Sequence, residues 1–127
     1  MLKSNPSLAG DVLTPNAVVA GLAELGRQLD AAVLTLRECE LSAVRTRHAA
    51  DLAESRAYLS AEGAVETRKH LARIATEHVE ADALVAEATL RWLRARIRAL
   101  DTRIEVGRSA GAALRAELKM LPYDPNA

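Results

Sequence analysis

The apolar residues form long heptad-like patterns on both sides of Gly63, the one glycine between positions 27 and 106. From residue 18 to residue 43 they step alternately by four and three positions: Val18, Leu22, Leu25, Leu29, Ala32, Leu36, Cys39 and Ala43. This spacing is typical of a helix that packs along another helix. Thr14 and Pro15 suit a helix cap and a first helical position. We therefore predict a helix from residue 15 to about residue 60.

The regularly spaced apolar residues form a stripe along one side of this first helix. After Cys39 the stripe is predicted to shift to a different set of positions. The next regularly spaced apolar positions, with one histidine among them, are Leu41, Val44, His48, Leu52 and Leu59. A change of this kind resembles a stutter, which alters supercoiling locally. The glycine at position 63 then predicts a turn near residues 60–64. The alternative is one unbroken helix through Gly63.

A second long helix is predicted from residue 65 to residue 119, with Pro122 after its end. Its later half carries a stripe at Leu93, Ile97, Leu100, Ile104, Gly107, Gly111, Leu114 and Leu118. Its earlier half carries another, at Leu71, Ile74, His78, Ala81, Val85, Ala88 and Trp92. A helix on the order of 80 Å long cannot bury both stripes against one shorter partner. Gly107 and Gly111 indicate either a close helix crossing, because small residues let two backbones approach, or a bend in the helix. We favour the close crossing.

These patterns predict an all-α fold, an antiparallel hairpin of two long helices with coiled-coil seams. The unburied apolar surface predicts a homo-oligomer, with the later stripe (residues 93–118) as its interface. Residues 1–13 are predicted to form a flexible arm, residues 14–119 the hairpin domain and residues 120–127 a tail. The start of the chain lacks the apolar core of a signal peptide, and no apolar run reaches the length of a membrane span, so we expect a cytoplasmic protein.

Composition and charge refine this picture. The chain lacks Phe and has one Trp and two Tyr, and its 17 Lys and Arg balance 17 Asp and Glu. The charges are unevenly placed: residues 91–119 hold eight Arg or Lys against three acids, and residues 15–66 hold five Arg against eight acids. Either the two helices attract each other, or the arginines form a track for phosphates. Asp101 and Glu105 favour a third interpretation, a salt-bridged surface with pairs to Arg98 or Arg108.

The residues that could carry catalysis or bind metal are scattered. His48, His70 and His78 lack a neighbouring carboxylate at metalloprotease spacing. Cys39 has no base partner in the sequence, and no glycine-rich phosphate loop is present. We therefore predict neither an enzyme nor a cofactor or metal site.

Two segments resemble a known family. The segment Tyr58-Leu59-Ser60-Ala61-Glu62-Gly63 is similar to the turn after the first long helix of UvsY-type recombination mediators of tailed phages. Trp92, Ile97, Leu100, the segment Arg103-Ile104-Glu105-Val106 and Ala113-Leu114 resemble the final helix of that family. The resemblance spans about residues 45–118. The family places basic residues just before the turn tyrosine, where this chain has only Arg56.

The resemblance implies a homo-oligomer that binds single-stranded DNA and helps a RecA-like recombinase displace a single-strand-binding protein. If phage-encoded, it would act in the host cytoplasm. The expected DNA-binding residues are Arg56, Arg91, Arg94, Arg96, Arg98, Arg103, Arg108 and Arg115. Few aromatic rings are available to stack on bases, so binding would rest on the DNA backbone. The alternative is a structural or scaffolding coiled-coil protein without a nucleic-acid role. A secreted helical hairpin with a tryptophan-glycine turn fits poorly, because Trp92 lies within a predicted helix.

Overall fold

Three helices make up almost all of the chain that the computed structural model describes, residues 14–122. They are α1 (Pro15–Ser60), α2 (Val65–Ala75) and α3 (Glu77–Lys119). Residues 14–122 contain no β-strand, so the all-α prediction is confirmed. The predicted arm at residues 1–13 and most of the predicted tail, residues 123–127, lie outside the described residues.

The ends of α1 have local causes in the sequence. The Thr14 hydroxyl oxygen accepts a 3.1 Å hydrogen bond from the Ala17 backbone N–H, which satisfies one of the free donors at a helix start. At the other end the connection to α2 passes through Gly63, whose φ of 115° lies in the region that favours glycine. The predicted start and end of this helix are confirmed, and the next helix begins at Val65.

The second helix is interrupted at Thr76, so the prediction of one unbroken helix over residues 65–119 is wrong. Thr76 has φ −112° and ψ 14°. Its buried hydroxyl donates a 2.8 Å hydrogen bond to the Ala72 carbonyl oxygen, which also accepts the Thr76 backbone N–H at 3.1 Å. A threonine that bonds back to the preceding turn bends a helix. The Glu80 N–H bonds the Thr76 carbonyl at 3.0 Å, so helical bonding resumes immediately.

Contacts within the chain define two compact units. The central unit is Asp30–Arg98, and the terminal unit combines the chain up to Leu29 with the chain from Ala99 onward. In the central unit Glu40 pairs with Arg94, whereas Arg47 pairs with Glu80 and Glu87. Residue numbers rise on α1 as they fall on α3, which is the antiparallel order.

Small residues dominate the core of the central unit. Its buried residues are Ala32, Ala43, Ala50, Ala72, Thr76, Ala83 and Leu93. Since alanine leaves little side chain between two helices, a core of this kind brings backbones close together. In the terminal unit Leu100 is buried, and an alanine Cβ at Gly107 would lie 2.7 Å from Leu22 Cδ2. The Leu22 side chain therefore occupies the space that a side chain at Gly107 would need, as expected where a glycine lies at a helix contact.

Burial also shows which apolar positions face inward. On α1 the predicted stripe from Val18 to Ala43 is buried or half-buried and continues in register through Thr46, Ala50, Ala53 and Ala57. The predicted stutter is therefore wrong, because the five positions that suggested it are exposed: Leu41, Val44, His48, Leu52 and Leu59. The inward residues past Ala43 are small, so the larger outward residues dominate the sequence pattern.

The inward stripe of α2 and α3 has the same regular spacing. It steps by four and three through Ala72, Thr76, Val79, Ala83, Ala86, Leu90, Leu93, Ile97, Leu100, Ile104, Gly107, Gly111 and Leu114, all of which are buried or half-buried. The later stripe identified in the sequence is the second part of this series. The earlier one, from Leu71 to Trp92, is exposed along its whole length.

Candidate interaction surfaces

Arg47 is the centre of the most extensive ion-pair cluster among the described residues. Its Nε donates to Glu87 Oε1 at 2.6 Å, and its Nη1 donates to Glu80 Oε2 at 2.7 Å. Asp51 lies one turn further along α1, 3.7 Å from the same Nη1. The hydrogen bond from Arg47 lowers the pKa of Glu87, and bonds to Glu87 and Glu80 raise the pKa of Arg47. The cluster joins α1 to α3 and fixes their register.

In the Arg47 cluster the signs of the charges on α1 and α3 are the opposite of those expected from the net charge of each helix. The sequence predicts an acidic first helix and a basic second helix, yet here α1 supplies the cation, and α3 supplies the two anions that pair with it between the helices. The pair between Arg94 and Glu40 has the predicted signs, with the anion on α1 and the cation on α3. Its closest atoms are 3.8 Å apart, and both side chains are about half exposed. Exposed pairs of this kind contribute little to stability. The position of each charge therefore matters more than the net charge of each helix.

The turn between α1 and α2 is held by Tyr58 and Arg68. The Arg68 guanidinium lies 4.3 Å from the centroid of the Tyr58 ring, a cation–π arrangement. Its Nη2 also donates to the Tyr58 carbonyl oxygen at 3.2 Å. Among the described side chains, Arg68 Nε is buried without a hydrogen-bond partner. The tyrosine of the family-like turn segment therefore packs within the chain.

All eight arginines expected to contact DNA are exposed: Arg56, Arg91, Arg94, Arg96, Arg98, Arg103, Arg108 and Arg115. Along the two helices that carry them, α1 and α3, they fall on several sides of the helix axis. Some also have partners within the chain. Besides the Arg94–Glu40 pair, Arg108 Nη1 donates to Glu105 Oε1 at 3.0 Å, one of the pairs that the salt-bridge interpretation predicts.

Most of the residues expected at an oligomer interface are packed against other residues of the same chain. Leu93 and Leu100 are buried, and an alanine Cβ at Gly111 would lie 3.1 Å from Val18 Cγ1. Of the eight residues, Leu93, Ile97, Leu100, Ile104, Gly107, Gly111 and Leu114 are buried or half-buried, and only Leu118 is exposed. The later stripe therefore has little apolar surface left to offer a second copy of the chain.

A different apolar surface is open to solvent. We call it the outer seam and define it as Leu71, Ile74, His78, Ala81, Val85, Ala88, Trp92 and Ala95. Each member from Ile74 onward lies two residues after a position of the inward heptad series, about 200° around the helix axis. Leu71 lies seven residues before His78 and extends the same spacing. The side chains of Ile74, Val85 and Trp92 are 71%, 66% and 63% exposed. The outer seam therefore faces away from α1 while keeping the three–four spacing of a helix-packing surface.

Helix α1 carries exposed apolar residues of its own on the side away from its inward stripe. Within the central unit these are Leu34, Leu41, Val44, Leu52 and Leu59. Glu38, Arg45 and Ser55 interrupt them at the intervening heptad positions. This second apolar surface is consequently less continuous than the outer seam.

Sequence reasoning missed the Arg47 cluster, although a signal for it exists. On α1, Glu40, Arg47 and Glu54 are spaced by seven residues, and on α3 Glu80, Glu87 and Arg94 are spaced likewise. Each follows an inward position by one residue, where charges of antiparallel helices meet. Reading the charges in heptad register, rather than adding them over each helix, identifies these positions.

Other features of the described chain give no further site. No helix within residues 14–122 has a segment long and apolar enough to cross a membrane. The same residues hold no group of three or more His, Cys, Asp or Glu side chains placed to bind a metal ion. Comparisons with known protein families, curated proteins and solved structures give no match for this chain.

Proposed function

We propose that this chain is a non-catalytic helical assembly protein, a hairpin of two long helical arms that works as a homo-oligomer. The observation that carries the proposal is the outer seam, a second helix-packing surface left open after α1 and α3 have packed together. Ile74, Val85 and Trp92 are each more than 60% exposed on it. Continuous apolar surface of this kind is typical of interaction sites.

The composition of the two surfaces supports this assignment. The inward core of the central unit is mainly alanine, whereas larger apolar side chains lie on the outside of both arms. A protein that works as a monomer usually buries its large apolar residues and exposes small or polar ones. The reversed arrangement here favours a chain whose larger side chains are covered by other chains.

Size-exclusion chromatography with light scattering tests the proposal. We expect a mass that is a multiple of the 13.7 kDa chain at micromolar concentration. A single species of 13.7 kDa up to high micromolar concentration would overturn it.

A second candidate function is binding of single-stranded DNA as an accessory factor of phage-type recombination, in the cytoplasm of a host. It is favoured by the arginine surplus of residues 91–119 and by the exposure of Arg91, Arg96 and Arg103. An oligomer would multiply these arginines along one DNA backbone, and a RecA-like recombinase and a single-strand-binding protein would be its other partners. Because such contacts release counterions, affinity would fall steeply with salt.

Titration of a labelled single-stranded oligonucleotide at two salt concentrations tests this candidate. Replacing Arg103, Arg108 and Arg115 by Ala, three exposed residues beyond the outer seam, should weaken binding and flatten its salt dependence. The matched control replaces Arg27, Arg37 and Arg45, three exposed arginines of α1, and should bind like the wild type. Equal losses in both variants would indicate only a general charge effect, and no binding by the wild type at low salt would rule the candidate out.

A further inference from the structure

The outer seam consists of two rows, and the side chains in the two rows differ in size. One row is Leu71, His78, Val85 and Trp92, and the other is Ile74, Ala81, Ala88 and Ala95, each with a spacing of seven residues. The first row is bulky throughout, whereas the second is small apart from Ile74. In a parallel helix pair, equivalent rows face each other, so bulky residues meet bulky ones. In an antiparallel pair the two rows face one another, and bulky residues meet small ones.

The charges beside the outer seam change sign along its length. Glu77 and Asp82 flank its first half, one on each side. Arg91 and Arg98 continue the row of Glu77 at multiples of seven residues, and Arg96 continues the row of Asp82. A parallel pairing would place acids beside acids and arginines beside arginines. An antiparallel pairing would place the acidic half of each seam beside the basic half of the other.

Size and charge together select one alignment. When Trp92 of one chain lies opposite Ala81 of the other, Val85 lies opposite Ala88. The same alignment brings Asp82 of each chain towards Arg96 of the other and Glu77 towards Arg98. Shifting the pairing by seven residues in one direction brings Trp92 opposite Ile74, so that two bulky residues meet, and shifting it in the other direction brings Arg91 towards a second Arg91. Like charges placed in this way repel.

We propose that two copies of the chain pair in antiparallel orientation through their outer seams, with Trp92 of each packed on Ala81 of the other. The inference rests on the proposed homo-oligomeric function and specifies the surface, partner and orientation. Alternating large and small residues interdigitate across such a contact. Both partners keep their inward cores intact, because the surfaces face opposite sides of the helix.

The charge arrangement gives a test of orientation. Asp82→Arg and Arg96→Asp should each weaken self-association roughly tenfold in sedimentation equilibrium, since each turns two ion pairs of the dimer into repulsions. The double variant Asp82→Arg/Arg96→Asp exchanges the charges and should associate with itself like the wild type. It should pair poorly with the wild type. A double variant that pairs better with the wild type than with itself would indicate parallel chains and overturn the proposal.

The apolar residues give a test of the surface. Ile74→Asp places a charge in the outer seam and should weaken self-association about a hundredfold or more, because the charge would be buried twice per dimer. The matched control is Leu34→Asp, at an α1 position that is 79% exposed and lies off the seam. It should associate normally. Far-UV circular dichroism checks that both variants remain helical.

The outcomes separate this inference from the proposed function. If the wild type is an oligomer and Leu34→Asp dissociates it whereas Ile74→Asp does not, the exposed side of α1 is the interface and the inference fails alone. If the wild type is an oligomer and both variants keep its mass, the antiparallel pairing through the outer seam is overturned, whereas the proposed homo-oligomeric function still stands. A monomeric wild type would overturn both.

Discussion

Substitution of Gly107 by alanine measures how closely the two helices of the terminal unit approach. A Cβ at this position would lie 2.7 Å from Leu22 Cδ2 and 3.4 Å from Leu22 Cγ, whereas carbon atoms prefer about 3.5–4.0 Å. The leucine must therefore move or the helices must separate. Crowding in a packed core costs about 1–3 kcal/mol of folding free energy, and the lower end of that range applies here because the crowded atom is the end of a flexible side chain.

The same substitution also has a favourable part, because alanine stabilises a helix interior by about 1 kcal/mol relative to glycine. The net expectation at Gly107 is therefore a loss of about 0–1 kcal/mol. Gly21 and Gly26 are matched controls, because a Cβ added at either would meet nothing within 4 Å. At these two positions only the higher helix propensity of alanine acts, so each substitution should stabilise the protein by about 1 kcal/mol.

Thermal and urea unfolding followed by circular dichroism provides the assay. We expect Gly21→Ala and Gly26→Ala to raise Tm by about 4 °C and Gly107→Ala to leave it unchanged or lower it. The contrast is the decisive quantity, since all three variants share the same change in composition. If Gly107→Ala stabilises the protein as much as the two controls do, Leu22 does not pack tightly against position 107 in solution.

Three further predictions concern the core, the ion-pair cluster and the turn. Leu100→Ala should cost about 2–5 kcal/mol, measured by urea unfolding, because Leu100 is buried and its loss leaves a cavity; a loss below about 1 kcal/mol would contradict this burial. Because the Arg47 bond lowers the pKa of Glu87 below its ordinary 4.5, the cluster should stabilise the fold above that pH and lose its effect as the pH falls below it. Arg47→Met should therefore lower Tm at neutral pH and narrow the Tm difference from the wild type in acid; an unchanged difference would exclude this linkage. Gly63→Ala should lose about 1–2 kcal/mol, because its φ of 115° strains any residue with a Cβ; unchanged stability would mean that the turn adopts another conformation.

The large residues of the sequence predict only part of the fold. Along residues 18–43 the inward stripe is mostly leucine and valine, so its spacing predicts which side is buried. Further along α1 the inward positions hold Ala50, Ala53 and Ala57 while Leu52 and Leu59 face outward. Both sides then have helical spacing, and a single sequence does not say which side its own partner helix covers. Alanine occupies these inward positions because close packing of two helix backbones requires small residues.

The interaction surfaces were predictable to a different extent. The exposure of the arginines follows from their charge, but the pairing of Arg94 with Glu40 depends on the register of two helices that are distant in sequence. The interruption of the helix at Thr76 depends on the hydrogen bond from the Thr76 hydroxyl to the Ala72 carbonyl oxygen. The spacing of apolar residues in the sequence carries no information about that bond. The outer seam was visible as a stripe from Leu71 to Trp92, yet its exposure became evident only when the inward positions of α3 were known.

The central claim is that another copy of the chain covers the outer seam, and Trp92 reports on it directly. It is the one tryptophan of the protein, and it is 63% exposed in a single chain. The decisive measurement is its fluorescence emission and quenching by acrylamide across a dilution series from high micromolar to nanomolar concentration. We expect a blue-shifted, protected tryptophan at high concentration that becomes red-shifted and accessible on dilution, as the mass falls to that of one chain. A tryptophan that stays equally accessible while the mass changes would contradict the account.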